Sequence, residues 1–395
     1  MRFVGAALVV VGLLVGLGAA QSFWTADGAL SRADANAAQL VRLQDIQTSL
    51  VRADADATNA FLVGGLEPVE QRRDYDTAVA RAASQVAFAA RAQPADGEAL
   101  AALSTAIQDY TGAVVQARAS NRQGLPVGAQ YLRDASAGLR ADALPLLEAL
   151  THANEGRAET EFTAASQARS LARGSALAGL VLVALAMVWL ARRTHRYVNV
   201  PVLGAGVVVL VVLLASAVVL GSVGSSVATV RAGPYAQARA LSDARISAFD
   251  AKSNESLTLI SRGSGAAFEA AWVTSAAVTT AKLAAVPRGG DNTLEAKWVE
   301  YTDAHVEIRA LDDGGSWEQA VAAATSRDDP SANASFERFG SATGALLTTA
   351  SETTSSALRS ADDGLQVGAL LGLLAGLAAA VLGWRGLAQR IEEYR

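Results

Sequence analysis

Two stretches place a tyrosine and an arginine two helical turns apart. YTGAVVQARASNRQG occupies residues 110–124 and YTDAHVEIRALDDGG occupies 301–315. On a helix, Tyr110 and Arg118 share one face, as do Tyr301 and Arg309. A guanidinium in that position can hold a carboxylate through two parallel hydrogen bonds, with the phenol beside it. The same residues also suit packing: Tyr, Ala and Val would fill an interface while Arg pairs with a neighbouring helix. The sequence leaves both readings open. Other chemistries find less support. His152, His195 and His305 are scattered and there is no cysteine to help them, so no zinc set is expected. Asp54 and Asp56 lack the loop with a central glycine that calcium binding requires. No nucleophile elbow, phosphate-binding glycine loop or kinase signature occurs. The expectation is a protein that is not an enzyme and carries no metal or cofactor.

The elements that must position these residues are helices. The chain has 395 residues, of which 51% are hydrophobic and 18% charged, and the apolar excess lies in four runs at 3–20, 175–190, 201–220 and 365–384. Each is about the 20 residues a helix needs to cross a bilayer, and none holds an internal charge. The long segments between them are rich in Ala, Leu, Arg, Glu and Gln, with apolar residues at three- and four-residue spacing. In 40–62, Leu40, Leu43, Ile46, Leu50, Ala53, Ala57, Ala60 and Phe61 form one apolar stripe, with Arg42, Asp45, Arg52 and Asp56 elsewhere on the wheel. Breakers at 64–68, 93–97 and 121–126 divide the first segment, and a kink is expected near Pro145. Breakers at 263–265, 287–291, 312–315 and 328–330 divide the second.

This predicts an all-α membrane protein made of two tandem extracytoplasmic antiparallel four-helix bundles. Each is flanked by transmembrane helices continuous with its first and last bundle helices. The expected boundaries are spans at 1–21, 175–191, 200–221 and 365–384, bundles at 22–174 and 222–364, a hinge at 192–199 and a tail at 385–395. Residues 1–21 read as an uncleaved anchor. The Tyr-Thr stretch recurs at the same point of both segments, so the chain reads as an internal duplication. Gly12 and Gly16, like Gly368, Gly372 and Gly376, recur every four residues, a spacing that lets helix backbones approach. They predict packing either between spans of one chain or in a homodimer.

Topology follows from arginines. Arg192, Arg193 and Arg196 in the hinge, Arg2 before the first run, and Arg385, Arg390 and Arg395 after the last put these parts in the cytoplasm. Both termini would then be inside the plasma membrane and both bundles outside. Net charge is -5 and no basic patch is interleaved with aromatics, so nucleic acid is not an expected partner. The turns at 64–68 and 121–126 lie far from the membrane, which makes Glu67, Asn121 and Arg122 candidate partner contacts. Asp312 and Asp313 are the candidates at the second bundle.

RADADATNAFLVGGLEP at 52–68 and NRQGLPVGAQYLRDAS at 121–136, set in a four-span chain, resemble the actinobacterial GlnX family. The bundles are also similar to the helical sensor domains of chemoreceptors. The first resemblance implies a relay in which a GlnH-type solute-binding lipoprotein, loaded with amino acids, is sensed outside and a PknG-type Ser/Thr kinase is controlled inside. Two further readings are a direct receptor that binds a small ligand within its bundles and a structural or transporter-accessory membrane protein.

Overall fold

The computed structural model describes residues 2–63, 67–194, 199–286 and 293–393. Its first half contains α1 (Arg2–Val63), α2 (Val69–Ala92), α3 (Gly97–Arg122), α4 (Val127–Gly138) and α5 (Leu144–Thr194). The second half contains α6 (Val200–Ala232), α7 (Pro234–Ile260), α8 (Ala266–Ala284), α9 (Thr293–Asp313), α10 (Trp317–Thr325), α11 (Ala332–Asp362) and α12 (Leu365–Glu393). No strand occurs among the described residues. The expected breaks at Gly64 and Gly65 and at 287–291 lie outside those residues. The others coincide with helix ends, where Gly124, Gly263 and Gly315 take positive φ values that side chains resist.

Pro145 does not break its helix. A five-residue π turn, Leu139–Ala143, immediately precedes α5. The proline ring leaves no donor for the preceding turn, and a widened turn absorbs the lost hydrogen bond. The helical path therefore runs on into α5, a single helix of 51 residues.

Contacts divide the chain into two compact units. One comprises Met1–Asp34, Arg157–Ala232 and Ser355–Arg395. The other comprises Ala35–Gly156 together with Gly233–Thr354. The central parts of the segments 22–174 and 222–364 both enter the second unit.

The first unit holds the apolar ends of α1, α5, α6 and α12, which belong to the four helices long and apolar enough to cross a membrane. They mark a multi-pass membrane protein. Leu14, Leu17, Leu185, Leu214, Leu371 and Leu374 are exposed on its surface, as lipid-facing residues would be. Inside, Val15, Ala19, Ala205, Val209 and Ala379 form one cluster and Leu8, Val183, Leu190, Val202 and Leu387 another. The glycines act within the chain. A Cβ on Gly16 would lie 2.8 Å from the Gly376 Cα, one on Gly12 would lie 2.6 Å from the Ala380 nitrogen, and one on Gly372 would lie 3.1 Å from the Ala19 Cβ. Gly368 instead faces the Phe23 ring. α1 and α12 therefore approach backbone to backbone, where dispersion replaces the hydrophobic effect as the cohesive force.

The second unit contains two cores. Leu43, Ile46 and Leu50 of α1 pack with Tyr75 and Val86 of α2, Leu103 and Ile107 of α3, Leu132 of α4 and Leu147 of α5. Val51 and Ala55, on another face of α1, join Leu241 and Phe249 of α7, Trp272 of α8, Trp298 and Tyr301 of α9, Ala320 of α10 and Phe336 and Phe339 of α11. Each large side chain buried this way contributes about 1.5–3 kcal/mol.

Two expectations need correction here. The single apolar stripe on 40–62 is incomplete, because α1 is buried on its other side too: Gln47, Thr48, Ser49, Asp54 and Thr58 are interior. Thr58 bonds back to the Asp54 and Ala55 carbonyls of its own helix, and Asp54 is satisfied by Tyr110, Ser136 and Arg140 of the first half and Ser253 of the second. The second half's helices also do not run unbroken between bundle and span. Gly233 (φ -103, ψ -105) separates α6 from α7, and Gly364 (φ 85) separates α11 from α12. Pro234 disfavours helical geometry at the residue before it, and Gly364 supplies the left-handed stop.

Candidate functional site

The two Tyr-Thr stretches occupy α3 and α9. In each the tyrosine and the arginine point to different places. Tyr110 is buried and its hydroxyl donates to Asp54 Oδ1 at 3.4 Å. Arg118, two turns on, donates to Glu67 Oε1 at 2.8 Å and lies 4.0 Å above the Tyr75 ring. Tyr301 donates to Glu255 Oε2 at 3.2 Å, also inside the core. Arg309 donates to Asp312 Oδ2 at 2.6 Å and to Asp313, and its Nε lies 3.4 Å from Glu269. Of the two readings left open, this arrangement is the one in which tyrosine packs inside while arginine pairs with a neighbouring acid. The tyrosines hold buried acids, and the arginines line surface clefts.

The arginine clefts differ in charge. Glu67, Asn121, Arg122 and Arg118 meet with Arg72 around a cleft of about 230 Å³, which places three guanidiniums against one carboxylate. Arg309, Asp312 and Asp313 meet with Glu269 and Arg262 around a cleft of about 660 Å³, where three carboxylates face two guanidiniums. Arg262, at a φ of 39, is stacked on Trp317 at 3.9 Å. In the second cleft Arg309 is surrounded by Glu269, Asp312 and Asp313 while Arg262 rests on Trp317. In the first, Arg118 pairs with Glu67 and Arg72 with Asp76, which leaves Arg122 as the surplus cation of its lining.

The tyrosines lead inward to two networks that the sequence reading did not anticipate. In the first, Asp54 accepts from Ser136 at 2.5 Å, from Ser253 at 2.6 Å and from Arg140 at 3.0 Å. Arg140 also donates to Asp250 at 2.7 Å, and Asp250 accepts from Ser275 at 2.6 Å. Burial alone would lower the Arg140 pKa, but Asp54 and Asp250 together raise it above the ordinary value. This carboxylate–guanidinium–carboxylate chain ties α1 and the π turn of the first half to α7 of the second. Removing one member would leave buried charge uncompensated.

In the second network, Glu255 accepts from Lys252 at 2.6 Å and meets His305 Nδ1 at 2.8 Å. His305 Nε2 lies 3.2 Å from Glu269, and its ring stacks on Trp272 at 3.5 Å. Burial pushes the Glu255 carboxyl up, but Lys252 and His305 outweigh it and hold the group at about 2. Burial likewise pushes His305 down, and its hydrogen bonds to Glu255 and Glu269 overcome this and raise it. Glu269 also lines the acidic cleft, so the buried imidazole connects directly to that surface. Two signals hint at this network. Lys252 is one of three lysines in an arginine-rich chain, and Glu255 follows it by three residues, within reach on one helix face.

The remaining candidates are scattered. Arg192 is exposed at the end of α5. Arg196 and the side chains of Arg193 and Arg390 lie outside the described residues. Among the described residues no group of acids, histidines or cysteines could hold a metal ion.

Residues 29–163 match a family model described as an actinobacterial sensor domain. The matched span includes the Arg118 cleft and the Asp54–Arg140 pair. No curated protein and no solved structure matches the chain.

Proposed function

We propose that this chain is a transmembrane signalling adapter of the GlnX type. It would relay amino-acid availability from a solute-binding lipoprotein outside the membrane to a cytosolic Ser/Thr kinase. The observation that carries the reading is the sensor-domain match over residues 29–163, in a chain with four helices apolar enough to span a membrane. The match supports a sensing role. The arginines flanking the apolar ends favour both termini and the hinge inside, with the 22–174 and 222–364 segments outside as duplicated bundles.

In this reading the two clefts are distinct docking surfaces. The Arg72, Arg118 and Arg122 cleft suits an acidic partner face, and the Glu269, Asp312 and Asp313 cleft suits a basic one. The output element is α5, because it is helical without interruption from Leu144 to Thr194. A rotation or piston shift along it would move Arg192 and the hinge, with Arg193 and Arg196, and change how a kinase docks. Arg390 and the tail are the second output. The interruption at Gly364 makes α11 the poorer transmitter. The shift can be no larger than the partner's difference in affinity for the two states.

The test is capture. Full-length protein purified in detergent is mixed with solute-binding lipoproteins of the same bacterium, with and without amino acids. Amino-acid-dependent capture that weakens in Arg118→Gln/Arg122→Gln is expected. No capture in either condition removes the adapter reading.

A further inference from the structure

The second unit contains a third cavity, of about 470 Å³, bounded by α1, α7 and α11. It lies apart from the two arginine clefts and shares no residue with them. Arg52 and Asp56 of α1, Arg245 and Phe249 of α7, and Glu337 and Gly344 of α11 are the residues that define it.

Its cations are incompletely neutralised. Arg245 Nη1 donates to the Gly340 carbonyl and to Thr343 Oγ1 at 2.9 Å, two uncharged acceptors. Among the described residues no carboxylate pairs with it. Among the described residues Arg52 pairs with Asp56, at 3.7 Å. Both guanidiniums lie 5.9 Å from the centroid of the same Phe249 ring. Burial, reinforced by the Arg52 charge, holds Arg245 down at about 10. Two like charges beside one ring, with a single carboxylate 3.7 Å from one of them, favour a bound anion.

One wall also lacks a donor. Asp56 Oδ2 is buried and accepts no hydrogen bond. Burial pushes its carboxyl up to about 7, against the opposing pull of Arg52. With Arg52 Nε 3.7 Å away as its nearest cation, this carboxyl has a charge beside it but no donor, and an ammonium group would supply one.

The other charges lining the cavity cancel. Lys252 pairs with Glu255 at 2.6 Å and Arg327 pairs with Asp74 at 2.7 Å. What remains is Arg52 and Arg245 against Asp56 and Glu337, a site with a positive and a negative pole and no net charge. A dianion or a dication would leave one pole unmatched. The volume lies within the roughly 300–1,000 Å³ typical of small-molecule sites.

We infer that this cavity binds a small zwitterion of the amino-acid class, its carboxylate on Arg52 and Arg245 and its ammonium on Asp56. Gly344 leaves the room for it, since a Cβ there would stand 3.1 Å from Arg245 Nη1. The site concerns a small molecule and this chain alone. Its failure leaves lipoprotein capture untouched, and loss of that capture leaves the site untouched.

The experiment is calorimetry on the full-length protein in detergent, titrated with each of the twenty amino acids. Any binder is then compared with its deaminated and decarboxylated counterparts. At least one amino acid is expected to bind with Kd below about 1 mM, and loss of either pole should weaken binding tenfold or more. Arg245→Gln and Asp56→Asn should each do the same, while Arg91→Gln, on an exposed face of α2, should not. Gly344→Leu keeps every charge and fills the space, so it should abolish binding. Circular dichroism and gel filtration confirm that each variant is folded. Three outcomes overturn the proposal: no heat with any amino acid at 10 times that concentration, equal binding of the deaminated counterpart with no effect of Asp56→Asn, or binding that survives Gly344→Leu.

Discussion

His305 is the residue whose environment makes the sharpest statement about pH. Its ring is held between Glu255 and Glu269 and covered by Trp272. Its folded pKa is raised, so the stability it contributes is fully present below the unfolded value of 6.5 and is lost as pH rises through the folded one. Glu255 has the opposite sign. Its folded pKa is lowered to about 2, so its contribution is present above 4.5 and is lost as pH falls towards 2. His305→Gln should therefore cost about 2 kcal/mol near pH 6 and progressively less above the folded His305 pKa. Thermal melts of wild type and variant from pH 5.5 to 9 check this, and a pH-independent difference would contradict the ion-paired imidazole. Of these pairs only Lys252–Glu255, three residues apart on one helix, leaves a mark in the sequence. His305 could be seen to lack nearby histidines or cysteines, but its partners come from α7 and α8, 50 and 36 residues away.

At the scale of elements, glycine has two separate uses here. Gly364 and Gly124 end helices through positive φ. Gly12, Gly16, Gly372 and Gly376 bring α1 and α12 into backbone contact. A Cβ at Gly376 would sit 2.5 Å from the Gly16 Cα and 2.8 Å from the Gly12 carbonyl oxygen, both of which are backbone atoms with little freedom to yield. Gly376→Leu should lower the midpoint of thermal inactivation in detergent by an amount corresponding to about 2–3 kcal/mol. Gly224→Leu in α6, where nothing lies within 4 Å, should leave it nearly unchanged. Equal effects would show that the close approach is not what holds these helices. The four-residue spacing was readable in the sequence, but the identity of the partner helix was not, because a glycine stripe fits any close backbone.

At the scale of the molecule, the arginine distribution makes a claim about topology. The chain has no cysteine, so single cysteines report cleanly. A cysteine at Gln123, in the exposed turn after α3, should react with a membrane-impermeant maleimide in intact cells. A cysteine at Arg192 should react only after permeabilisation. Labelling of both from outside would reverse the hinge and with it the proposed output. The second unit bears on transmission as well. The Asp54–Arg140–Asp250 chain joins the two halves through hydrogen-bonded charge, linking the π turn beside α5 to α7. A buried ion pair of this kind is weak evidence for added stability, because desolvation offsets much of the attraction.

The sequence by itself determined the helical class, the four apolar spans and nearly every described break. Each depends on residues near one another in the chain: apolar period, uncharged length, and glycine or proline at a turn. Only the tertiary structure decided that α1 and α7 are buried on two sides, that residues 35–156 and 233–354 form one unit, and that each Tyr-Arg pair faces both a core acid and a surface cleft. A polar residue on a helix wheel reads as solvated when its only visible neighbours are local. Asp54 is interior because Ser136, Arg140 and Ser253 reach it from other helices, and a hydrogen bond across 82, 86 or 199 residues leaves no periodic mark on the chain.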